Sequence, residues 1–225
     1  MTDVQPSAEQ TEHVSFKFEL LRKGIHMMSL SIPVVYYFVT RDVMLILLIP
    51  LTLLFVVGDV MRSFHEPTFH LYEKIFGRML RPHEKTKKKK TLNGASWVLI
   101  SAILTVLIFP KLIAITAFAI LIVSDTIAAL IGRRFGTRKF NDKSLEGSTA
   151  FVLSAIIVIL FTPKVAQAPA EYAIAIVSAV IGAISEVLSF DIIDDNFAIP
   201  LSIGSAMWLL YFLFLPELNI YCLDG

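Results

Sequence analysis

One cysteine in 225 residues, Cys222, is too few for an internal disulfide and excludes a cysteine-rich metal site. Histidine is scarce too: there are five, all before residue 84. No Walker A sequence, protein-kinase signature set, HExxH pair or serine nucleophile elbow occurs, so those catalytic templates drop out. The N-terminal stretch has no positive n-region and no small-residue cleavage site, and no cleaved leader is expected. Charged residues amount to only 17%.

Apolar side chains are what the chain has in excess. At 56% hydrophobic residues it reads as an all-α integral membrane protein. The net charge of +1 says little about partners, and no nucleic acid partner is implied. Residues 1–18 read as a polar cytosolic tail, and 19–225 as one polytopic membrane unit. Apolar runs at 24–40, 43–61, 95–109, 112–131, 148–162, 172–190 and 197–215 predict about seven transmembrane helices, although the third and fifth are short against the roughly 20 residues a crossing needs. Pro33 and Pro50 fall inside spans, where membrane helices tolerate them if neighbours satisfy the freed carbonyls. Between spans two and three, Phe69, Tyr72, Phe76 and Met79 recur at helical spacing, which predicts an amphipathic helix lying in the interface. The basic run Lys87–Lys90 follows it.

Charge placement gives an orientation. With the N-terminus in the cytosol, seventeen of the twenty Lys and Arg fall on the cytosolic side, and only Arg41, Lys111 and Lys164 on the other. That is the positive-inside pattern for seven spans, and it puts every unusual polar cluster on one face.

The densest cluster runs from Ser124 to Ser148. Asp125 lies inside an apolar run seven residues before Gly132, about 10 Å along a helix. A charge at such depth costs roughly 2.5–3.5 kcal/mol on insertion scales, and such residues usually mark function. Glu186 is likewise inside an apolar run, and Asp195 with Asn196 abuts the last one. Carboxylates that face each other across a bundle repel unless a cation or proton lies between them. One or two carboxylates, completed by water and phosphate oxygens, describe a Mg²⁺ site for a nucleoside triphosphate. Arg133, Arg138, Lys139 and Lys143 are placed to neutralise phosphates. Gly147 and Ser148 offer backbone N–H groups at a helix start, where anions bind, and Gly132 and Gly136 permit close approach of backbone to ligand. Further polar groups belong to the same face: Arg22, Lys23 and His26 at span one, Asp59 with Arg62 at span two, and Thr91, Asn93 and Gly94 before span three. Each has a plainer role available, such as a snorkelling anchor, a structural histidine or a local ion pair.

The motif Ser124-Asp125-Thr126, Ala128, Gly132-Arg133, Phe135-Gly136, Lys143-Ser144, Glu146-Gly147-Ser148 resembles the CTP-dependent lipid kinase family, which includes dolichol kinase, phytol kinase and CTP-using diacylglycerol kinase and is related to phosphatidate cytidylyltransferase. Glu19, Arg22-Lys23, His26, Asn93-Gly94-Ala95, Glu186, Asp195-Asn196 and Pro200 support the match, which extends over nearly all the chain after residue 18. The resemblance implies a membrane kinase domain with CTP as co-substrate, a divalent cation and a membrane lipid alcohol as acceptor. It further implies catalytic roles for Asp125, Glu186 and Asp195, metal ligation by Asp125 and Glu186, and nucleotide contacts among Arg22, Lys23, His26, Asn93, Gly132, Arg133, Gly136, Lys139, Lys143, Ser144, Glu146, Gly147 and Ser148. Two other readings stand beside it. CDP-lipid synthesis shares the central motif, but the His-Gly-Gly and Asp-Arg elements expected near the end of a cytidylyltransferase are missing. A transporter would suit intramembrane acids, but it usually brings repeats and broken midplane helices, and no internal repeat is visible.

Overall fold

The computed structural model describes residues 20–64, 92–140, 143–189 and 194–224. The N-terminal tail with Glu19, the expected interfacial helix, Lys87–Lys90, Thr91 and Asp191 lie outside them. Among the described residues the chain is helical, with one minimal hairpin. The helices are α1 (20–28), α2 (Ser31–Phe38), α3 (Arg41–Phe64), α4 (Gly94–Ile108), α5 (Lys111–Phe135), α6 (Leu145–Phe161), α7 (Pro169–Leu188) and α8 (Asp195–Phe214). Strands β1 (Lys139–Phe140) and β2 (Lys143–Ser144) pair antiparallel between α5 and α6, with Lys139 opposite Ser144 and Phe140 opposite Lys143.

The first apolar run is not one helix. Pro33 has no N–H for the carbonyl one turn earlier, and the chain tightens at Ser29-Leu30, whose N–H groups bond back three residues to His26 and Met27. Elsewhere local chemistry sets the boundaries. Asn93, Ser144 and Asp194 cap α4, α6 and α8, each accepting a first-turn N–H through its side chain. Pro169 opens α7, where proline's missing donor is no loss.

Among the described residues, four helices are long and apolar enough to cross a membrane: Arg41–Arg62, Lys111–Phe135, Pro169–Leu188 and Asp195–Phe214. Helices α4 and α6 are equally apolar but have 15 and 17 residues. The expected all-α membrane class is observed, whereas the expected seven crossings correspond to four helices of sufficient length, two short ones and the broken first run.

Helix α5 is the hub. It packs against α2, α4, α6 and α8, and 83% of its apolar stretch is buried, against 22% for α3. Helix α3 sits at the edge and buries a single stripe, Met44, Leu48, Thr52, Asp59 and Arg62, while its other faces expose large apolar side chains as a lipid-facing helix does. Because α4, α6 and α8 start at the end of the bundle where α3, α5 and α7 finish, one end collects the polar clusters.

Candidate functional site

Asp125 lies ten residues before the end of α5, about 15 Å along its axis, and is 5% exposed. Lys23, 102 residues away on α1, donates to its Oδ2 at 2.5 Å and to its backbone carbonyl at 3.3 Å. His26, on the same face of α1, puts Nε2 3.5 Å from that Oδ2. The buried acid is thus met by a buried ammonium, the compensation a charge at this depth requires.

A second pairing adjoins it. Lys143 on β2 donates to Glu186 Oε1 on α7 at 2.8 Å and to Asp195 Oδ2 on α8 at 2.6 Å. Ser189 donates to the other oxygen of Asp195 and also to the Glu186 carbonyl. Burial alone would lower the Lys143 pKa, but Glu186, Asp195 and Asp125 outweigh it and hold the ammonium above the ordinary lysine value. Asp125 also acts electrostatically on Glu186, so the three carboxylates from α5, α7 and α8 form one cluster. Glu186 Oε2 is buried with no hydrogen-bond partner among the described residues, as is the hydroxyl of Ser124 beside Asp125.

The hairpin that carries Lys143 is held by close packing. A Cβ at Gly136 would lie 2.1 Å from the Gly132 carbonyl and 2.7 Å from Ser144, and one at Gly132 would lie 2.8 Å from Ser144 Oγ. These glycines therefore let α5 meet the start of α6, which differs from the expectation that they clear room for a ligand. Gly147 N–H, expected to face an anion, instead donates to Ser144 Oγ at 3.0 Å, because the serine caps its own helix. Glu146 turns back to the connection, accepting from Thr137 Oγ1 at 2.5 Å and from Arg138 N–H. Arg133, Arg138 and Lys139 are exposed. Arg22 and Ser148 are half-buried, and neither makes any of the carboxylate bonds described above.

Asn93 sits at a separate joint. Its Oδ1 accepts from Ser96 N–H, while its Nδ2 and backbone N–H donate to Asp59 at 2.9 and 2.8 Å. Ser96 Oγ adds a bond to Asp59 at 2.7 Å, and Arg62 lies 3.9 Å from it. The expected Asp59–Arg62 pair exists, but the shorter bonds tie α3 to α4. This joint still borders the cluster: a Cβ on Gly94 would meet Asn196 Nδ2, next to Asp195, at 3.7 Å.

Sequence reasoning missed Ser189, which no spacing singles out. It also missed Glu171 at the far end of the bundle, which accepts from Val165, Ala166 and Ala168 N–H and from Tyr211 Oη, and so ties the α6–α7 connection to α8.

Among the described residues no three His, Cys, Asp or Glu side chains converge closely enough to hold a metal unaided. Oxygen donors from one or two carboxylates, one of them the unpartnered Glu186 Oε2, nevertheless fit a hard cation that also takes ligands from its substrate. The arrangement can thus bind cationic or metal-bridged polyanionic groups and can accept a proton in a sheltered place.

No family model matches this chain, and no solved structure matches it. It is 31% identical over 188 residues to an uncharacterized protein of Rickettsia prowazekii, covering 83% of this chain and 92% of that one. It is 29% identical over 167 residues to CTP-dependent diacylglycerol kinase 1 of Schizosaccharomyces pombe, covering 68% and 74%. It is also 36% identical over 103 residues to the protein of that name from Eremothecium gossypii, covering 44% and 31%.

Proposed function

This chain belongs to the CTP-dependent lipid kinase family, and from that membership we propose that it transfers the γ-phosphoryl group of CTP to the hydroxyl of a membrane lipid alcohol, releasing CDP. The observation that carries the reading is the gathering of Asp125, Glu186 and Asp195 at one end of an apolar bundle, with Lys23 paired to Asp125 and Lys143 bridging Glu186 and Asp195. The relatives named for diacylglycerol make a diacylglycerol the first acceptor to test, ahead of dolichol-like and phytol-like alcohols.

In this reading the lipid oxygen forms a bond to the γ-phosphorus while the bond from that phosphorus to the β-bridging oxygen breaks. Such transfer needs positioning and charge stabilisation more than covalent help. The hydroxyl proton passes to a carboxylate, and Asp195, the acid of the cluster that is not assigned to the cation, is the candidate to take it. Lys143, once a triphosphate enters, exchanges a carboxylate for a phosphate oxygen and stays charged throughout, its pKa lying above the ordinary lysine value. Lys23 and His26 hold the Asp125 carboxylate in place. The exposed Arg133, Arg138 and Lys139 steer the nucleotide in from solvent. Asp125 and Glu186 would hold Mg²⁺, which when bound neutralises phosphate charge. We place the site end at the cytosol, a reading supported by the positive-inside distribution of Lys and Arg along the sequence.

The test is transfer of label from γ-labelled CTP by the purified protein in lipid nanodiscs offered a panel of lipid alcohols. Label in the lipid is expected, whereas label in pyrophosphate would mean CDP-lipid synthesis. Asp125→Asn is expected to lower kcat by about 10²–10³, the scale for losing a preorganised charge. Unchanged turnover in that variant would remove Asp125 from the machinery.

A further inference from the structure

Between α6 and α7, at the site end, runs an apolar groove of about 490 Å³, within the range of about 300–1,000 Å³ typical of small-molecule sites. Val152 forms part of the α6 wall, and Val180, Ala183 and Val187 form the α7 wall. From Val180 to Leu188 the groove follows α7 for about 12 Å. Any apolar face of a membrane protein is wetted by lipid, so its apolarity alone does not mark a substrate seat. Three further observations do.

Ala183, one helical turn before Glu186 on α7, lines the inner edge of the groove, so the groove passes beside the turn that carries the buried, unpartnered Oε2, although Glu186 itself is not part of the lining. The same end is closed by Phe140, which is 59% exposed and pairs in the hairpin with Lys143, the residue bonded to Glu186 and Asp195. Ser148 and Thr149 give that end its polar edge, and Thr149 Oγ1 already donates to Leu145 O, so its oxygen remains an acceptor. By contrast, the neighbouring α7–α8 seam is shut: a Cβ on Gly182 would lie 2.5 Å from Ile203.

We infer that this groove seats the hydrocarbon tail of the acceptor lipid alcohol, with its hydroxyl at the Glu186 end and Phe140 lying across the mouth. The inference rests on the phosphoryl-transfer reading and adds the path by which the acceptor arrives from the bilayer. It also gives Ser148 a place beside the lipid head rather than beside the phosphates.

Val180→Trp and Ile184→Trp fill the groove from positions 39% and 53% exposed, so the variants can fold, which a monodisperse gel-filtration peak checks. The acceptor KM is expected to rise about tenfold or more, the scale of one or two methylenes in an apolar pocket, with CTP KM unchanged. An acceptor with a short tail should be affected much less. Leu209→Trp, on the lipid-facing side of α8, should change neither KM. Folded groove variants with wild-type acceptor KM would overturn the inference while leaving phosphoryl transfer intact. A second measurement does not depend on turnover: photo-crosslinking with a long-chain alcohol that carries a diazirine in its tail. Adducts concentrated on α6 and α7 and displaced by unlabelled alcohol are expected. Adducts spread around the bundle, or not displaced, would overturn the inference, even for a protein that moves no label from CTP.

Discussion

Replacing Lys143 by methionine keeps the length of the side chain and removes its ammonium. Two carboxylates then lose a donor held at 2.8 and 2.6 Å. The Glu186 side chain is 4% exposed and that of Asp195 19%, so water cannot replace the lost charge at the first and only partly does so at the second. Breaking a buried pair from one side typically costs about 3–5 kcal/mol. Ser189 still serves Asp195, which argues for the lower end, about 3 kcal/mol. At roughly 2–4 °C per kcal/mol for a chain of this size, the midpoint of thermal unfolding in detergent should fall by about 6–12 °C. Neutralising one orphaned acid should return part of the loss, so Lys143→Met combined with Glu186→Gln should melt above Lys143→Met alone, with a coupling of about 0.5–3 kcal/mol in the cycle. A fall of only a degree or two with strictly additive effects would refute the reasoning. It would mean that Lys143 points into solvent and the carboxylates are compensated by something else. The pH dependence has a definite sign. A lysine whose folded pKa lies above its unfolded value contributes fully below about pH 10.4 and loses that contribution as pH rises toward the folded value. Stability from this group should therefore be flat between pH 7 and 9.

The remaining expectations follow from other joints. Asp59→Ala strips acceptors from Asn93 N–H, Asn93 Nδ2 and Ser96 Oγ; a loss of about 3 kcal/mol or more in chemical denaturation is expected, while Asp59→Asn should lose less. Gly136→Ala would set a Cβ 2.1 Å from a carbonyl and 2.7 Å from Ser144, forcing the hairpin to shift; a cost of about 1–3 kcal/mol and reduced turnover are expected, the first read by thermal melting and the second by label transfer. Lys164, in the α6–α7 connection, has its pKa pulled down to about 8 by burial, against the opposing pull of Glu171. Between about pH 8 and the ordinary lysine value near 10.4 the unfolded chain binds the extra proton, so melting temperature should rise with pH there. Lys164→Met should abolish that rise.

How far the chain could be read in advance differs from element to element. The run expected at 112–131 is helix Lys111–Phe135, and that at 172–190 is helix Pro169–Leu188, because a long apolar stretch has few alternatives to a helix. The first run is the exception: the reading tolerated Pro33 inside a continuous span, but the lost hydrogen bond divides it into α1 and α2. Asp125 and Glu186 were conspicuous because an acid in an apolar run is costly wherever it ends up. What each acid pairs with was hidden. Lys23 was legible as an anchor, a topology signal or a nucleotide contact but not as the partner of Asp125, and the basic residues between Arg133 and Lys143 looked interchangeable, yet the hairpin directs Lys143 inward and leaves Arg138 and Lys139 outside.

From its composition and periodicity alone this protein is a helical membrane protein whose charges gather at one end, since hydrophobicity and charge placement are summed along the chain. Only the tertiary structure decides which charges meet. That depends on how each helix is rotated about its axis and how closely neighbours approach, and both are set by side chains as distant in sequence as Lys23 and Asp125.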